Sequence, residues 1–218
     1  MISLSVSAYN LIYSKIIHLI TKFGFDDLTD DDVNVISNKC LYDLKAFSEK
    51  DPSAHNDDRY IVMSYTSYYS VLCYRIAHHA YSLGFLVKAK KLSEYAKNKT
   101  GIEIHPACKI GDRFVIDHGF GTVIGETVTI GDDCYILQCV VLGSRYIANN
   151  KTEKRHPQLG NNVEVGGFAK LLGPISIGDN VKISPNAIIR ESVPKNSKVI
   201  ISTINQIIKN TVKPCLSL

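Results

Sequence analysis

Residues 101–144 read GIEIHPACKIGDRFVIDHGFGTVIGETVTIGDDCYILQCVVLGS, and an aliphatic residue returns at every sixth position within them. Ile104, Ile110 and Ile116 keep that step, as do Ile124, Ile130, Ile136 and Leu142; it resumes at Leu159, Val165, Leu171, Ile177, Ile183 and Ile189. Glycine directly follows several of them, as in Ile110-Gly111, Ile130-Gly131 and Ile177-Gly178. A period of six suits neither an amphipathic helix nor an alternating strand. It suits a parallel β-helix, in which short strands alternate with tight turns and one aliphatic side chain per strand fills the axis. The phase slips twice. The step from Ile116 to Ile124 contains Asp117-His118, and the longer step from Leu142 to Leu159 contains Arg155-His156.

Upstream of the repeat the texture changes. Apolar residues fall at three- and four-residue intervals, as in Leu11, Ile12, Ile16, Leu19 and Ile20, then Val33, Ile36, Cys40, Leu41 and Leu44. This spacing predicts helices. Thr29 or Asp30 is placed to cap the second, with acidic residues in its first turn. A third, longer helix is expected from Asp58, carrying Tyr65, Tyr68, Tyr69, Leu72, Ile76 and Tyr81 and ended or kinked by Gly84. A lysine-bearing helix from Phe85 to Lys99 then leads into the repeat. The expected organisation is α+β: an N-terminal all-α helical domain (1–100), a left-handed parallel β-helix of hexapeptide repeats (101–195) and a C-terminal tail (196–218). The tail reads equally as a strand and helix folding back on the coils or as a partner-contacting segment. A β-helix leaves an open strand edge at each end, so the helical domain is expected to cap the first coil and the tail the last.

Composition narrows the class. The chain has 218 residues, 45% hydrophobic and 21% charged, with a formal net charge of +4. Such a charge favours anionic ligands but is too weak and dispersed for a nucleic-acid interface. No apolar run approaches the roughly 20 residues that span a bilayer, so no membrane role is expected. The six cysteines form no CxxC pair and no Cys/His ligand spacing. The expectation is therefore reduced thiols in a cytoplasmic protein, with no metal.

The quoted stretch resembles the heart of the serine O-acetyltransferases, hexapeptide-repeat enzymes that acetylate L-serine from acetyl-CoA at the start of cysteine synthesis. The resemblance extends upstream to Asp51-Pro52, Asp58-Arg59-Tyr60 and Tyr74-Arg75-Ile76-Ala77-His78, and downstream through Arg155-His156-Pro157. Acyl transfer to a hydroxyl needs a base near neutral pH, and histidine suits that task. His118 lies where the repeat bulges, so its ring is expected to project from the prism; the resemblance makes it the general base. The family's orienting carboxylate matches Glu103, where the family usually has aspartate. Asp51, beside Pro52, and Asp117 match its amine-binding aspartates. Arg155 matches its carboxylate-binding arginine, a residue type able to grip a carboxylate in bidentate fashion. His156 matches a second histidine near the acceptor, and Glu126 an acidic position near the active site.

By the same resemblance, CoA lies in a groove between neighbouring prisms, with Gly143, Gly167, Ala169 and Lys182 as candidate contacts. The implied assembly is a homotrimer or a dimer of trimers. In the family, cysteine inhibits from the serine site, and the C-terminal tail docks into cysteine synthase through a terminal isoleucine. Here the chain ends Pro214-Cys215-Leu216-Ser217-Leu218. The chain also departs from the family in the segment starting Gly143-Ser144-Arg145-Tyr146, bulkier than the usual GGTGK-like loop. It has Ile201-Ser202-Thr203-Ile204 where a GVPAR-type segment is usual. Two other readings stand beside serine acetylation: transfer to another hydroxyl, such as a sugar or antibiotic, and an inactive scaffold.

Overall fold

The structure is a computed structural model and describes residues 6–148 and 154–202. Five α-helices come first: α1 (Val6–Phe23), α2 (Asp30–Lys50), α3 (Asp58–Ser64), α4 (Thr66–Ser82) and α5 (Leu86–Thr100). A left-handed parallel β-helix follows. Its first coil comprises β1 (Glu103–Ile104), β2 (Lys109–Ile110) and β3 (Val115–Ile116). The second has β4 (Val123–Ile124), β5 (Thr129–Ile130) and β6 (Tyr135–Ile136). The third has β7 (Val141–Gly143), β8 (Gln158–Leu159) and β9 (Glu164–Val165), and the fourth β10 (Lys170–Leu172), β11 (Ser176–Ile177) and β12 (Lys182–Ile183). A last coil contains β13 (Ile188–Ile189) and β14 (Lys198–Val199), with Val193 bridging to Ile177 between them.

Strands stack into three parallel sheets in the orders β1-β4-β7-β10-β13, β2-β5-β8-β11 and β3-β6-β9-β12-β14. The six-residue rule explains the register. Ile104 pairs with Ile124, Ile124 with Leu142, Leu142 with Leu171, and Leu171 with Ile189. Every aliphatic of the repeat is buried, with Ile189 the most exposed at 8%. The register holds across both phase slips: Ile124 pairs with Ile104, and Leu159 with Ile130. At the corner between the second and third sheets, Asn162, Asn180 and Asn196 adopt the left-handed conformation that asparagine tolerates. Their side-chain amides link in a ladder, Asn162 to Asn180 at 2.9 Å and Asn180 to Asn196 at 2.8 Å.

Thr29 caps α2 through a reciprocal box with Asp32: the Asp32 amide donates to Thr29 Oγ1, and the Thr29 amide to Asp32 Oδ2. The long helix expected from Asp58 is in fact two, because Tyr65 is extended between α3 and α4 (φ −81°, ψ 110°). The Tyr65 ring packs edge-on against Tyr60 and Phe47, and its hydroxyl donates to Asp51. These tertiary contacts outweigh the helical propensity of the surrounding residues. Residues 198–199, within the segment read as a tail, form β14 against β12; residues 203–218, including the cysteine-synthase docking expectation, lie outside the described residues.

The helices are joined to the first coil by a buried ion pair. Arg75 on α4 donates from Nε and Nη2 to the two oxygens of Asp43 on α2, at 2.7 and 2.9 Å. Nη1 also donates to the carbonyl of Ile110 (2.7 Å) and Nη2 to that of Gly111 (2.6 Å). Asp43 also accepts from the Phe114 amide at 2.9 Å. Burial alone pulls the guanidinium toward neutrality, but the Asp43 carboxylate overrides it and holds Arg75 charged. Beside it, Tyr74 donates to the Cys108 carbonyl and accepts from the Ile110 amide, and His78 donates to the Pro106 carbonyl. The first coil's edge is thus covered by helices. Removing one partner strands the other's charge: Arg75→Met or Asp43→Leu is expected to lower unfolding free energy by about 3–5 kcal/mol, read from urea denaturation.

Candidate active site

Where α2 ends above the first phase slip, a cavity of about 280 Å³ is lined by Asp51, Ser53, Ser64, Tyr65, Thr66, Ser67, Asp117 and His118. Asp51 closes α2 and opens a 3₁₀ turn, Pro52–Ala54, in which Pro52 supplies the fixed φ of the first position. Its Oδ1 accepts from the Ser53 amide at 2.8 Å and its Oδ2 from the Tyr65 hydroxyl at 2.7 Å. Asp117 leaves β3 with its amide on the Ile136 carbonyl, and its Oδ2 accepts from the Tyr135 hydroxyl at 2.8 Å. His118 follows in the left-handed conformation (φ 58°) with its side chain 72% exposed. As expected, its ring projects from the prism. Gly119 permits this turn, since a Cβ there would stand 2.4 Å from Ile102 Cδ1.

Glu103 has a further partner in the structure. Its carboxylate meets Lys97 Nζ at 2.5 Å, whereas the carboxylate paired with His118 is that of Asp117, Oδ2 to Nε2 3.8 Å. Glu103 directly follows Ile102, against which the 117–121 turn packs.

Arg155, His156 and Glu126 gather at another corner. Arg155 pairs with Glu126, and this contact holds the Glu126 carboxyl below its ordinary range. His156 Nδ1 is addressed by the Thr127 amide (3.1 Å) and hydroxyl (2.8 Å), so the neutral ring carries its proton on Nε2. Gly125 makes room for that ring, as a Cβ there would lie 2.3 Å from His156 Nε2. Burial, then the Arg155 charge, lowers the His156 pKa; burial, then Lys90, lowers that of His105. Thr127 was not legible as a site residue, because a threonine in a repeat turn looks like any other.

These two groups occupy opposite edges of the sheet that begins with β1: His118 precedes β4, and Glu126 and Arg155 follow β4 and β7. Among the described residues no hydrogen bond or ion pair joins them. The CoA candidates scatter similarly. Gly143 ends β7, and Gly167 lies at the His118 edge against Gln138. Ala169 is buried, and Lys182 sits on the sheet containing β12, paired with Glu164 at 2.7 Å.

Residues 156–191 match the model of the bacterial transferase hexapeptide family (six repeats). The serine acetyltransferase of Helicobacter pylori is 43% identical over 169 residues, which cover 78% of this chain and 96% of that protein. The chain belongs to the serine acetyltransferase family. Another family member, from Staphylococcus aureus, is 42% identical over 158 residues, 72% of this chain and 72% of its own. Among solved serine acetyltransferases, isoform 3 of Entamoeba histolytica in complex with cysteine superposes with a TM-score of 0.76 at 32% identity, covering 89% of this chain and 72% of that one. The Neisseria gonorrhoeae enzyme in complex with serine gives 0.75 at 28% identity, covering 90% and 80%. As a member of this family the chain is an acyltransferase. No helix among the described residues is long and apolar enough to cross a membrane.

The depressed histidines set a pH dependence. His156, His105 and, through burial, His78 bind protons less readily folded than unfolded. As pH falls below the ordinary histidine value near 6.5, the unfolded chain therefore gains protons first and stability declines until the folded pKa values are passed. The melting temperature is expected to drop between pH 7 and 5, with a shallower slope for His156→Gln.

Proposed function

We propose that this chain transfers the acetyl group of acetyl-CoA to the hydroxyl of L-serine, giving O-acetyl-L-serine and CoA. The observation that carries this reading is the convergence of Asp51, Asp117 and His118 on one cavity. Two carboxylates there suit the ammonium of an amino acid, and an exposed imidazole beside them suits its hydroxyl. His118 takes the hydroxyl proton as the serine oxygen attacks the thioester carbon; the tetrahedral intermediate then collapses and expels CoA as thiolate, which takes up a proton. Asp117 holds the imidazole, and Glu103, next to the turn's packing partner Ile102, is a further orienting group once freed from Lys97. Arg155 receives the substrate carboxylate, with Glu126 fixing the guanidinium and His156 standing by with an Nε2 proton. Gly143, Gly167, Ala169 and Lys182 remain the proposed line of CoA contacts.

A homotrimer completes this scheme. The two halves of the site lie at opposite edges of one sheet, and a threefold axis brings one edge of each copy against the other edge of its neighbour. The helices, 1–100, contribute Asp51 to the serine site and the coils, 101–195, contribute the rest. Cysteine synthase stays a proposed partner of the tail.

Thiol release from acetyl-CoA in the presence of L-serine, homoserine or sugars tests the acceptor; turnover of sugars but not serine sinks the proposal. His118→Ala is expected to lower kcat by at least ~10²-fold. Arg155→Ala is expected to act mainly on the serine KM. Co-expressed His118→Ala and Arg155→Ala chains should recover part of the activity, because mixed trimers contain an interface with both groups intact. Failure to recover would place both halves of the site within one chain.

A further inference from the structure

The cavity holds its two carboxylates in an unusual way. Among the described residues neither Asp51 nor Asp117 pairs with a lysine or arginine; the basic side chain nearest Asp117 is the His118 imidazole, at 3.8 Å. Each instead accepts a short hydrogen bond from a tyrosine hydroxyl: Tyr65 to Asp51 at 2.7 Å, Tyr135 to Asp117 at 2.8 Å. The tyrosines come from unrelated elements. Tyr65 is the extended residue that separates α3 from α4, and Tyr135 projects from the outer face of β6, one coil beyond Asp117. Nothing in the hexapeptide rule calls for an aromatic at that outer position, whose neighbours along the sheet are Val115 and Glu164.

A lysine or arginine here would both orient and neutralise a carboxylate. A phenol orients it through a hydrogen bond to a charged acceptor while leaving the negative charge in place. Two such bonds fix two carboxylate rotamers ahead of ligand binding, so less ordering remains when a cation enters. Burial, and next the carboxylates themselves, push both phenols well above their ordinary pKa, so both stay donors at neutral pH.

We infer that Tyr65 and Tyr135 are positioning residues for the acceptor site: their hydroxyls hold Asp51 and Asp117 aimed and un-neutralised, and thereby select an acceptor that carries an ammonium group. The inference rests on the proposed serine site and deepens it. Neither tyrosine touches the reacting atoms in this scheme. Both act on acceptor binding, leaving the chemical step and the acetyl donor to other groups.

The test uses Tyr65→Phe and Tyr135→Phe in the full chain, which remove one oxygen each and keep the ring packing. Each is expected to raise the serine KM about tenfold, the scale of one hydrogen bond to a charged group, with kcat and the acetyl-CoA KM little changed. A second acceptor, 3-hydroxypropanoate, is serine without its amine. The preference for serine over it should fall in each variant by the same factor as the KM rises, which a merely structural loss would not produce. Asp51→Asn combined with Tyr65→Phe should be no worse than Asp51→Asn alone. Circular dichroism and melting temperature check folding, and because the tyrosines lie on separate elements each variant reads independently. An unchanged serine KM in both variants, an equal loss for both acceptors, or an additive Asp51→Asn cycle overturns the inference while leaving serine acetylation standing. Absence of serine turnover in the wild-type chain takes down the proposed function and this inference together.

Discussion

The buried pair between Arg75 and Asp43 is the constraint on which the remaining geometry depends. A guanidinium taken this far out of water needs partners for its donors, and the carbonyls of Ile110 and Gly111 add to those that Asp43 supplies. Asp43 in turn holds the Phe114 amide. Asp43 precedes the end of α2 by about two helical turns, and Phe114 precedes the Asp117-His118 turn by one short strand. Fixing one pair therefore sets where Asp51 stands relative to Asp117. The cavity between them is a consequence of a contact that lies outside it.

The prism contributes stiffness, and its corners contribute chemistry. Each short strand gives one residue to the axis and leaves only its outward neighbour free for other tasks, as at Tyr135 on β6. Turns carry most of the variation. At the first phase slip two extra residues push His118 into solvent, and Gly119 accepts the tight return against Ile102. At the second, the absence of a side chain at Gly125 lets His156 lie flat on the coil below. Both histidine sites thus depend on a glycine: Gly119, next to His118 in the chain, and Gly125, stacked against His156 from the neighbouring coil.

Much of this was legible before the fold was known. The six-residue period names the axial side chains one by one, and all are buried. Thr29 as a cap and the outward projection of His118 also follow from local pattern. Two features were not legible. The helical spacing of Tyr65, Tyr68 and Tyr69 conceals a break whose cause is the contact of Tyr65 with Asp51, Phe47 and Tyr60. The meeting of Lys97, at the end of α5, with Glu103 is the other. Neither pairing leaves a periodic trace.

The sequence by itself determined the β-helix and its axial side chains, because both depend on a repeat that answers to one short-range rule. The tertiary structure alone decided which polar groups meet. Tyr135 and Asp117 are 18 residues apart and Arg75 and Asp43 are 32 apart. Such meetings depend on how helices seat on a coil, and burial of charge makes that seating specific without any local pattern to announce it.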